Sequence, residues 1–498
     1  MTRRLTSCIK FILLVACLAG LALPALWFHP QAAQAQTSPE LWADPVSLFR
    51  TSGFASSPLI LDSQDGNLHA FWIENQVPDA FRASGFPEVI FHTQTADGVH
   101  WSEPVDILTA PSAQRIQGLS VVMDDERVVH VVFLDWQGSA VYYRSAPLDG
   151  IDTPSAWTEP RKLLAFRTAS YGLKWNDGTL YLIYTALDAP FGLYLHQSSD
   201  GGATWSSPVR ISNAEDESEM ANAVSFALGA DGTIHVAWDT VQSATGGPPS
   251  RIFYTQSSDG GHTWAEPTLL DNGEYGAPAL VVTEDDAVAV TWNGRVSIGG
   301  RYFRWSPDGG DTWSDRTTIT PGVGGLTGGT MAADSAGHLH FATASHLGGI
   351  NGIAYALWDG AGWSPLVNIS KTYTPVRTEE DRQGYEPYMV VAGGNRVHVV
   401  YLGLNHAEVF YVSARSGAPT IPVPTPRPTR VPTATAVAAP TETGIAGATA
   451  TPSLNDGSGA TESGLGRRNP TSPVLVGVLP VLAMLVVIVL ARLRRSAR

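Results

Sequence analysis

The sequence has almost no cysteine. Its only two, Cys8 and Cys17, lie near the N-terminus, in an apolar segment that follows several basic residues. Small residues at 33–35 have the spacing of a cleavage site, so the pattern predicts a secretory signal peptide over residues 1–35. The alternative, a lipoprotein box ending at Cys17, would leave a strongly apolar stretch after that cysteine. A chain cut after residue 35 contains no cysteine, which excludes disulfides and thiol chemistry.

Basic residues are also scarce. Residues 36–417 contain 43 Asp plus Glu and 20 Lys plus Arg, a formal net charge of −23. Such a balance opposes generic attraction to nucleic acid or to anionic lipid. We therefore expect no nucleic-acid partner, and we interpret the acidic surface as one that keeps an exported domain soluble.

Long hydrophobic runs occur only near the two ends of the chain. Residues 474–491 form an uncharged apolar run of 18 residues followed by arginines, which predicts a transmembrane helix over 473–491 and a basic cytoplasmic tail over 492–498. Residues 418–472 are rich in Pro, Thr, Ala and Gly, a composition that cannot bury a core and predicts a disordered stalk. The expected protein is single-pass in the cell membrane, with its main domain outside the cell.

The sequence does contain a repeat. The pattern Ser-x-Asp-Gly-Gly-x-Thr-Trp occurs at 198–205, 257–264 and 306–313. Asp and Gly between β-like runs are typical of hairpin turns, and the Trp would begin the next strand and pack on a neighbouring unit. We assign structural roles to three aspartates and three tryptophans: Asp200, Asp259, Asp308, Trp205, Trp264 and Trp313.

The repeat belongs to a larger unit of four short strands. Units begin near seven positions: Ser57, Gly118, Ser170, Ala221, Gly276, Gly328 and Gly384. The last unit lacks its closing strand, and residues 42–49 match that strand at the other end of the domain. A ring whose first strand completes its last unit has no exposed sheet edge there, so the pattern predicts an all-β propeller over residues 41–417. Seven blades are expected, or six if one of the weakly matching units does not form a blade of its own.

The repeated pattern is an Asp-box, and the chain resembles the Asp-box (bacterial neuraminidase repeat) superfamily of sialidase-like propellers over residues 41–417. The resemblance implies that the box is structural and lies opposite the active site. Sialidases bind the sugar carboxylate with three arginines, attack with a Tyr assisted by Glu, and use an Asp as acid/base. Their first arginine belongs to a Phe-Arg-Ile-Pro motif. Here Ser56 stands in its place, Arg50 has the wrong spacing, and sialidases usually have six blades.

Loops that enter the inner strands converge on one face of a propeller, so residues of these loops are the candidates for a ligand-binding or catalytic site. Candidates for ligand binding are Arg115, Arg167, Arg382 and Tyr171, since Arg matches carboxylates and Tyr stacks on sugars. Candidates for catalysis are Glu274 with Tyr275 and Tyr385 with Glu386. Adjacent residues of a strand point to opposite sides, so a Tyr and Glu from different blades would pair better. The alternative is that these side chains only solvate the rim.

Histidine recurs at one position of the second strand, at His69, His130, His235, His340 and His398. Ring symmetry would spread these residues around the propeller, so we interpret them as packing or hydrogen-bonding groups and predict no metal site. Trypsin-like triad, phosphate-loop and dinucleotide motifs are absent, and no cofactor is predicted.

Three functions fit these patterns. The first is an exported propeller that presents a ligand-binding loop face to glycans or proteins. The second is an exo-acting glycoside hydrolase of sialidase type, with a Tyr/Glu nucleophile pair and an arginine cluster. The third is an architectural envelope protein, which predicts a loop face without a pocket.

Overall fold

The computed structural model describes residues 42–51, 53–75, 88–165, 168–187, 190–212, 220–241, 251–273, 276–294, 300–321, 328–345, 350–371 and 385–422. The predicted signal peptide, transmembrane helix and cytoplasmic tail, and the stalk beyond residue 422, lie outside these ranges. Within them, no helix has the length and apolar character needed to span a bilayer.

The described chain forms seven four-stranded antiparallel sheets. Blade 1 contains β2 (Phe54–Asp62), β3 (Leu68–Asn75), β4 (Val89–Thr95) and β5 (Val105–Thr109). Blade 2 contains β6 (Ile116–Met123), β7 (Val128–Asp135), β8 (Ala140–Pro147) and β9 (Arg161–Leu164). Blade 3 contains β10 (Tyr171–Asn176), β11 (Thr179–Ala186), β12 (Gly192–Ser198) and β13 (Val209–Arg210).

Blade 4 contains β14 (Met220–Leu228), β15 (Ile234–Val241), β16 (Arg251–Ser257) and β17 (Thr268–Asn272). Blade 5 contains β18 (Gly276–Val282), β19 (Val288–Asn293), β20 (Gly300–Ser306) and β21 (Thr317–Pro321). Blade 6 contains β22 (Thr330–Ala333), β23 (Leu339–Ser345), β24 (Gly352–Trp358) and β25 (Val367–Asn368). Blade 7 contains β26 (Tyr385–Ala392), β27 (Arg396–Leu402), β28 (Glu408–Arg415) and the N-terminal β1 (Val46–Arg50). Short 3-10 turns lie at Leu148–Gly150, Pro154–Ala156 and Leu404–His406.

The ring closes through the N-terminal strand. β1 pairs antiparallel with β28, with Val46 opposite Tyr411, and the Trp42 ring packs edge-on against Tyr355 of blade 6 at 4.8 Å between centroids. The first strands of the blades contact one another in turn, and β26 of the last blade contacts β2 of the first. The predicted closing strand and the seven-blade count are therefore confirmed, and the six-blade alternative is wrong.

The inner strands line a central channel and have no strand partner on that side. Side-chain hydroxyl groups accept hydrogen bonds from some of the backbone N–H groups on that side. Ser120 Oγ accepts from Leu173 N at 2.9 Å, and Ser225 Oγ accepts from Leu280 N at 3.0 Å. Each bond joins the first strands of two neighbouring blades. Because an unpaired buried N–H is costly, these hydroxyls stabilise the ring at its centre.

The second strands are buried on both faces because each blade is covered by its neighbours. All eight residues of β3 are buried, as are all of β19 and β23. This explains their long apolar runs and the repeated histidine. His130, His235, His340 and His398 each share a 2.7 Å hydrogen bond with a Tyr hydroxyl on the third strand. In blade 1, His69 bonds His92 at 3.0 Å instead. The hydrogen-bonding interpretation of these histidines is confirmed.

The three repeated turns share one hydrogen-bond pattern. In the first, Asp200 accepts from Ser198 Oγ (2.8 Å), Thr204 N (2.8 Å) and Thr204 Oγ1 (2.6 Å). Equivalent bonds surround Asp259 and Asp308. These donors lower the pKa of all three carboxyls, most strongly through the Thr hydroxyl. The aspartates therefore fix the turn that joins the third strand to the fourth.

Each turn also docks on the preceding blade. Tyr143 of blade 2 donates to Gly201 O of the blade 3 turn at 2.8 Å, and its ring meets the Trp205 ring edge-on at 5.5 Å. Tyr254 and Trp313 repeat this arrangement between blades 4 and 5, at 4.8 Å between rings. Such edge-on aromatic pairs contribute about 0.5–1.5 kcal/mol beyond the area that they bury.

Candidate functional site

The two faces of the ring differ in what they carry. Strands alternate in direction within each blade, so the inner strand begins at the end of the blade opposite the turn between the third and fourth strands. We call the face where inner strands begin the loop face. The opposite face, which carries the turns at 198–205, 257–264 and 306–313, is the turn face. The repeated aspartates thus lie away from the candidate site residues.

A cavity of about 510 Å³ opens on the loop face where blades 7, 1, 2 and 3 meet. Its wall comes from the starts of β26, β2, β6 and β10 and from the segments just before them. Its polar lining consists of Ser56, Ser57, Arg115, Gln117, Thr168, Ser170, Tyr171 and Glu386, and Phe54, Ile116, Leu119 and Leu134 add apolar surface. The volume lies within the range of small-molecule sites, about 300–1,000 Å³. We call it the larger cavity.

Three of the eight candidate site residues meet in this cavity: Arg115, Tyr171 and Glu386. Arg167, Arg382, Glu274 and Tyr275 lie outside the described residues. Tyr385 does not line the cavity. Its ring packs against His406 with a tilt of 30° and 4.6 Å between centroids. The His406 ring in turn lies nearly parallel to the Phe54 ring, at 4.4 Å.

The neighbours Tyr385 and Glu386 therefore point to different places, as adjacent residues of a strand should. The Glu386 carboxylate lines the cavity, whereas the Tyr385 ring belongs to the aromatic stack with His406. This arrangement does not supply a Tyr nucleophile with an adjacent Glu partner.

The Tyr171 hydroxyl is engaged by the backbone of the neighbouring blade. Its hydroxyl donates to Gln117 O at 2.8 Å, and burial raises its pKa well above the ordinary value of 10. A tyrosine nucleophile needs activation by a base or a lowered pKa. Gly118 permits the close approach, because its φ is 66° and a Cβ there would lie 3.0 Å from the Tyr171 hydroxyl.

Arg115 is held beside an exposed aromatic side chain. Its guanidinium lies 5.5 Å from the centroid of the Trp136 ring, and Trp136 N donates to Arg115 O at 3.0 Å. Trp136 is 39% exposed, so its ring is accessible from solvent. The cation–π contact orients a positive charge at the rim of the larger cavity.

Glu386 is fixed by the backbone of the next blade. Its Oε2 accepts from Ser57 N at 2.8 Å. Both residues occupy the left-handed region, with φ of 46° for Glu386 and 51° for Ser57, a conformation that costs on the order of 1–3 kcal/mol in a residue other than glycine. Each precedes a proline at a bulge in its inner strand, where the left-handed backbone is further restricted.

The inner strand of blade 5 has the same bulge at Ala277, away from the larger cavity. It also precedes a proline, has a φ of 52°, and donates its N–H to Asp239 Oδ2 at 2.8 Å. Asp239 is fully buried, and desolvation raises its pKa. In blade 5 the acceptor is thus a buried structural carboxylate, whereas in blade 1 it is the cavity residue Glu386.

The sequence patterns missed Ser57 as a site residue, although an X-Pro pair at the same place in three inner strands was a visible signal. Ser56, which the sequence resemblance aligns with the first sialidase arginine, does line the cavity and contributes a hydroxyl. Among the described residues, no three His, Cys, Asp or Glu side chains cluster in a way that could hold a metal ion.

No family model matches the sequence, and neither does any curated protein sequence. Solved structures do share the fold. A PL25 ulvan lyase bound to -[GlcA(1-4)Rha3S]- is 11% identical, with a TM-score of 0.52, over 75% of this chain and 97% of that one. A protein of unknown function from Dyadobacter fermentans is 16% identical, with a TM-score of 0.45, over 75% and 98% of the two chains. The Hadza microbial sialidase Hz136 is 15% identical, with a TM-score of 0.42, over 74% and 68%. At these identities the similarity is one of fold.

Proposed function

We propose that this propeller is an exported glycan-binding module that holds its ligand in the larger cavity of the loop face. The observation that carries the proposal is the lining of that cavity, where one Arg, one Glu, one Tyr, one Gln and several hydroxyl groups from four blades converge. Sugars present many hydroxyl groups of both donor and acceptor character. Ser, Thr, Gln and Tyr match that character, and Phe54 and Leu119 offer apolar surface for a ring face.

Binding fits the cavity better than hydrolysis. A sialidase-type mechanism needs a tyrosine activated by a neighbouring carboxylate, yet the Tyr171 hydroxyl donates to a backbone carbonyl and has a raised pKa. The first arginine of the family motif is replaced by Ser56. The ulvan lyase is a precedent for a saccharide bound to this fold, but the proposal rests on the residues of this chain.

The proposal includes the predicted export and membrane attachment of the chain. Residues 418–422, which the sequence assigns to the stalk, pack on the turn face beside blades 6 and 7. Asn395 Nδ2 donates to Ala418 O at 3.0 Å, and Ile421 N donates to Gly393 O at 2.9 Å. The predicted stalk thus starts on the face opposite the cavity, which would leave the loop face open to ligands outside the cell.

The test is a glycan array probed with the full chain in detergent, followed by titration calorimetry on the glycans retained. Arg115→Ala should weaken binding at least tenfold, about 1.4 kcal/mol, because it removes the charged donor of the cavity. Arg316→Ala is the matched control, since Arg316, beside β21 of blade 5, pairs with Asp271 on β17, the outer strand of blade 4. Equal affinity of the Arg115→Ala and Arg316→Ala variants would contradict the site. Sugar release from fluorogenic glycosides would instead favour the hydrolase.

A further inference from the structure

A second cavity lies beside the first. It has a volume of about 320 Å³, and its wall includes Pro58, Leu59, Pro387, Tyr388 and the pair Gly328 and Gly329. Ser57, Leu119 and Glu386 line both cavities. Because they share these three residues, the two cavities adjoin at Ser57, Leu119 and Glu386, and we call the pair the groove. We call the second one the smaller cavity.

The two parts of the groove differ in chemistry. The larger cavity carries Arg115, Gln117 and Tyr171, whereas the smaller one is lined mainly by proline, leucine and glycine. Its one aromatic side chain, Tyr388, is 36% exposed on an inner strand. An exposed ring beside apolar side chains suits the flat apolar face of a sugar.

Glu386 is the one charged residue among the three that line both parts. Ser57 N holds its Oε2 at 2.8 Å, while its Oε1 accepts no hydrogen bond from any described residue. A carboxylate oxygen accepts hydrogen bonds only, so it suits the hydroxyl groups of a ligand. The left-handed backbone at both Ser57 and Glu386 places strain at this junction, as is common at ligand sites. At the equivalent bulge of blade 5, Ala277 N donates to the buried Asp239 carboxylate instead.

We infer that the groove binds an internal segment of a glycan chain, with consecutive sugar residues in the two cavities and Glu386 accepting hydroxyls beside the linkage between them. This inference rests on the proposed function and specifies its ligand. A site for a terminal sugar needs only one cavity, closed at its far end. Here the groove continues past Glu386 to a second cavity with its own aromatic surface, which a single sugar residue would leave empty.

The experiment is calorimetry on the full chain with defined oligosaccharides of one to four sugars, from neutral (cello- and manno-oligosaccharides) and acidic (oligogalacturonates and hyaluronan oligomers) series. Affinity should rise at least tenfold between one sugar and two or three. Tyr388→Ala should remove most of that gain, and Tyr388→Phe should restore it. Arg115→Ala should weaken binding at every length. Circular dichroism melting checks that each variant is folded.

The outcomes separate the two proposals. If one sugar binds as tightly as three, or if Tyr388→Ala binds every length as the unaltered chain does, the internal-segment inference is overturned and a terminal-sugar site stands. If no oligosaccharide or array glycan binds, the glycan proposal itself fails, and the inference fails with it.

Discussion

At the scale of single residues, the buried histidines couple the stability of the blades to pH. Burial lowers the pKa of His398 to about 3 and that of His69 to about 4, from an ordinary value near 6.5. Between these folded values and 6.5, the unfolded chain binds protons that the folded chain does not. The contribution of these histidines to stability is therefore complete above pH 6.5 and is lost progressively as the pH falls.

His398→Gln should therefore reduce the pH dependence of stability. Between pH 6 and 4, the free energy of unfolding of the unaltered chain should rise with pH more steeply than that of the variant. The difference between the two slopes should approach the value for one bound proton, about 1.4 kcal/mol per pH unit. Urea denaturation at several pH values measures both slopes. Tyr411→Phe is the control, because it removes the 2.7 Å bond to His398 but leaves the imidazole in place, and it should keep the steeper slope. Identical slopes for His398→Gln and the unaltered chain would contradict this account.

At the scale of elements, the repeated turns hold blades together because their glycines permit close contact with a side chain of the neighbouring blade. A Cβ on Gly202 would lie 2.1 Å from the Tyr143 hydroxyl, whereas a Cβ on Gly201 would meet nothing within 4 Å. Both glycines have positive φ, at 85° and 66°, so alanine at either position carries backbone strain of about 1–2 kcal/mol. Only Gly202 adds a clash with the neighbouring blade.

Gly202→Ala should accordingly destabilise the protein by at least about 2 kcal/mol more than Gly201→Ala, since overpacking forces side chains and backbone to shift. Chemical denaturation of the two variants gives the difference directly, and the backbone strain largely cancels between them. Equal losses would show that the turn does not depend on close contact with Tyr143.

Sequence patterns predicted elements better than they predicted the site. The repeated turn, the recurring histidine and the match of residues 42–49 to a missing strand were enough to predict seven blades and their closure, because each reflects a local requirement that recurs in many blades. The loop register also placed Arg115, Tyr171 and Glu386 on one face. It did not reveal that Tyr385 packs against His406 or that Glu386 accepts from Ser57 N, since neither contact follows from the repeat, and the second joins the two ends of the domain. Nor does any repeat pattern specify the bulge in β26 between Tyr385 and Tyr388.

At the scale of the whole molecule, the ring is stabilised by the pairing of its first and last strands. Removing residues 42–50 would delete β1, expose the edge of β28 and remove the Trp42 contact with Tyr355. An open edge loses its ladder bonds and offers a template for other chains. We expect a lower melting temperature and self-association, measured by calorimetry and size-exclusion chromatography. A chain that lacks only residues 37–41 should melt like the unaltered one. Unchanged melting without residues 42–50 would contradict the closure.

The central claim is that a glycan binds in the groove formed by blades 6, 7, 1, 2 and 3. A crystal structure with a bound trisaccharide of measurable affinity tests it most directly. The account predicts sugar density along the groove on the loop face, within hydrogen-bond distance of Arg115 and Glu386 and against the Tyr388 ring. Density on the turn face, or on the outer strands with the groove left empty, would contradict it.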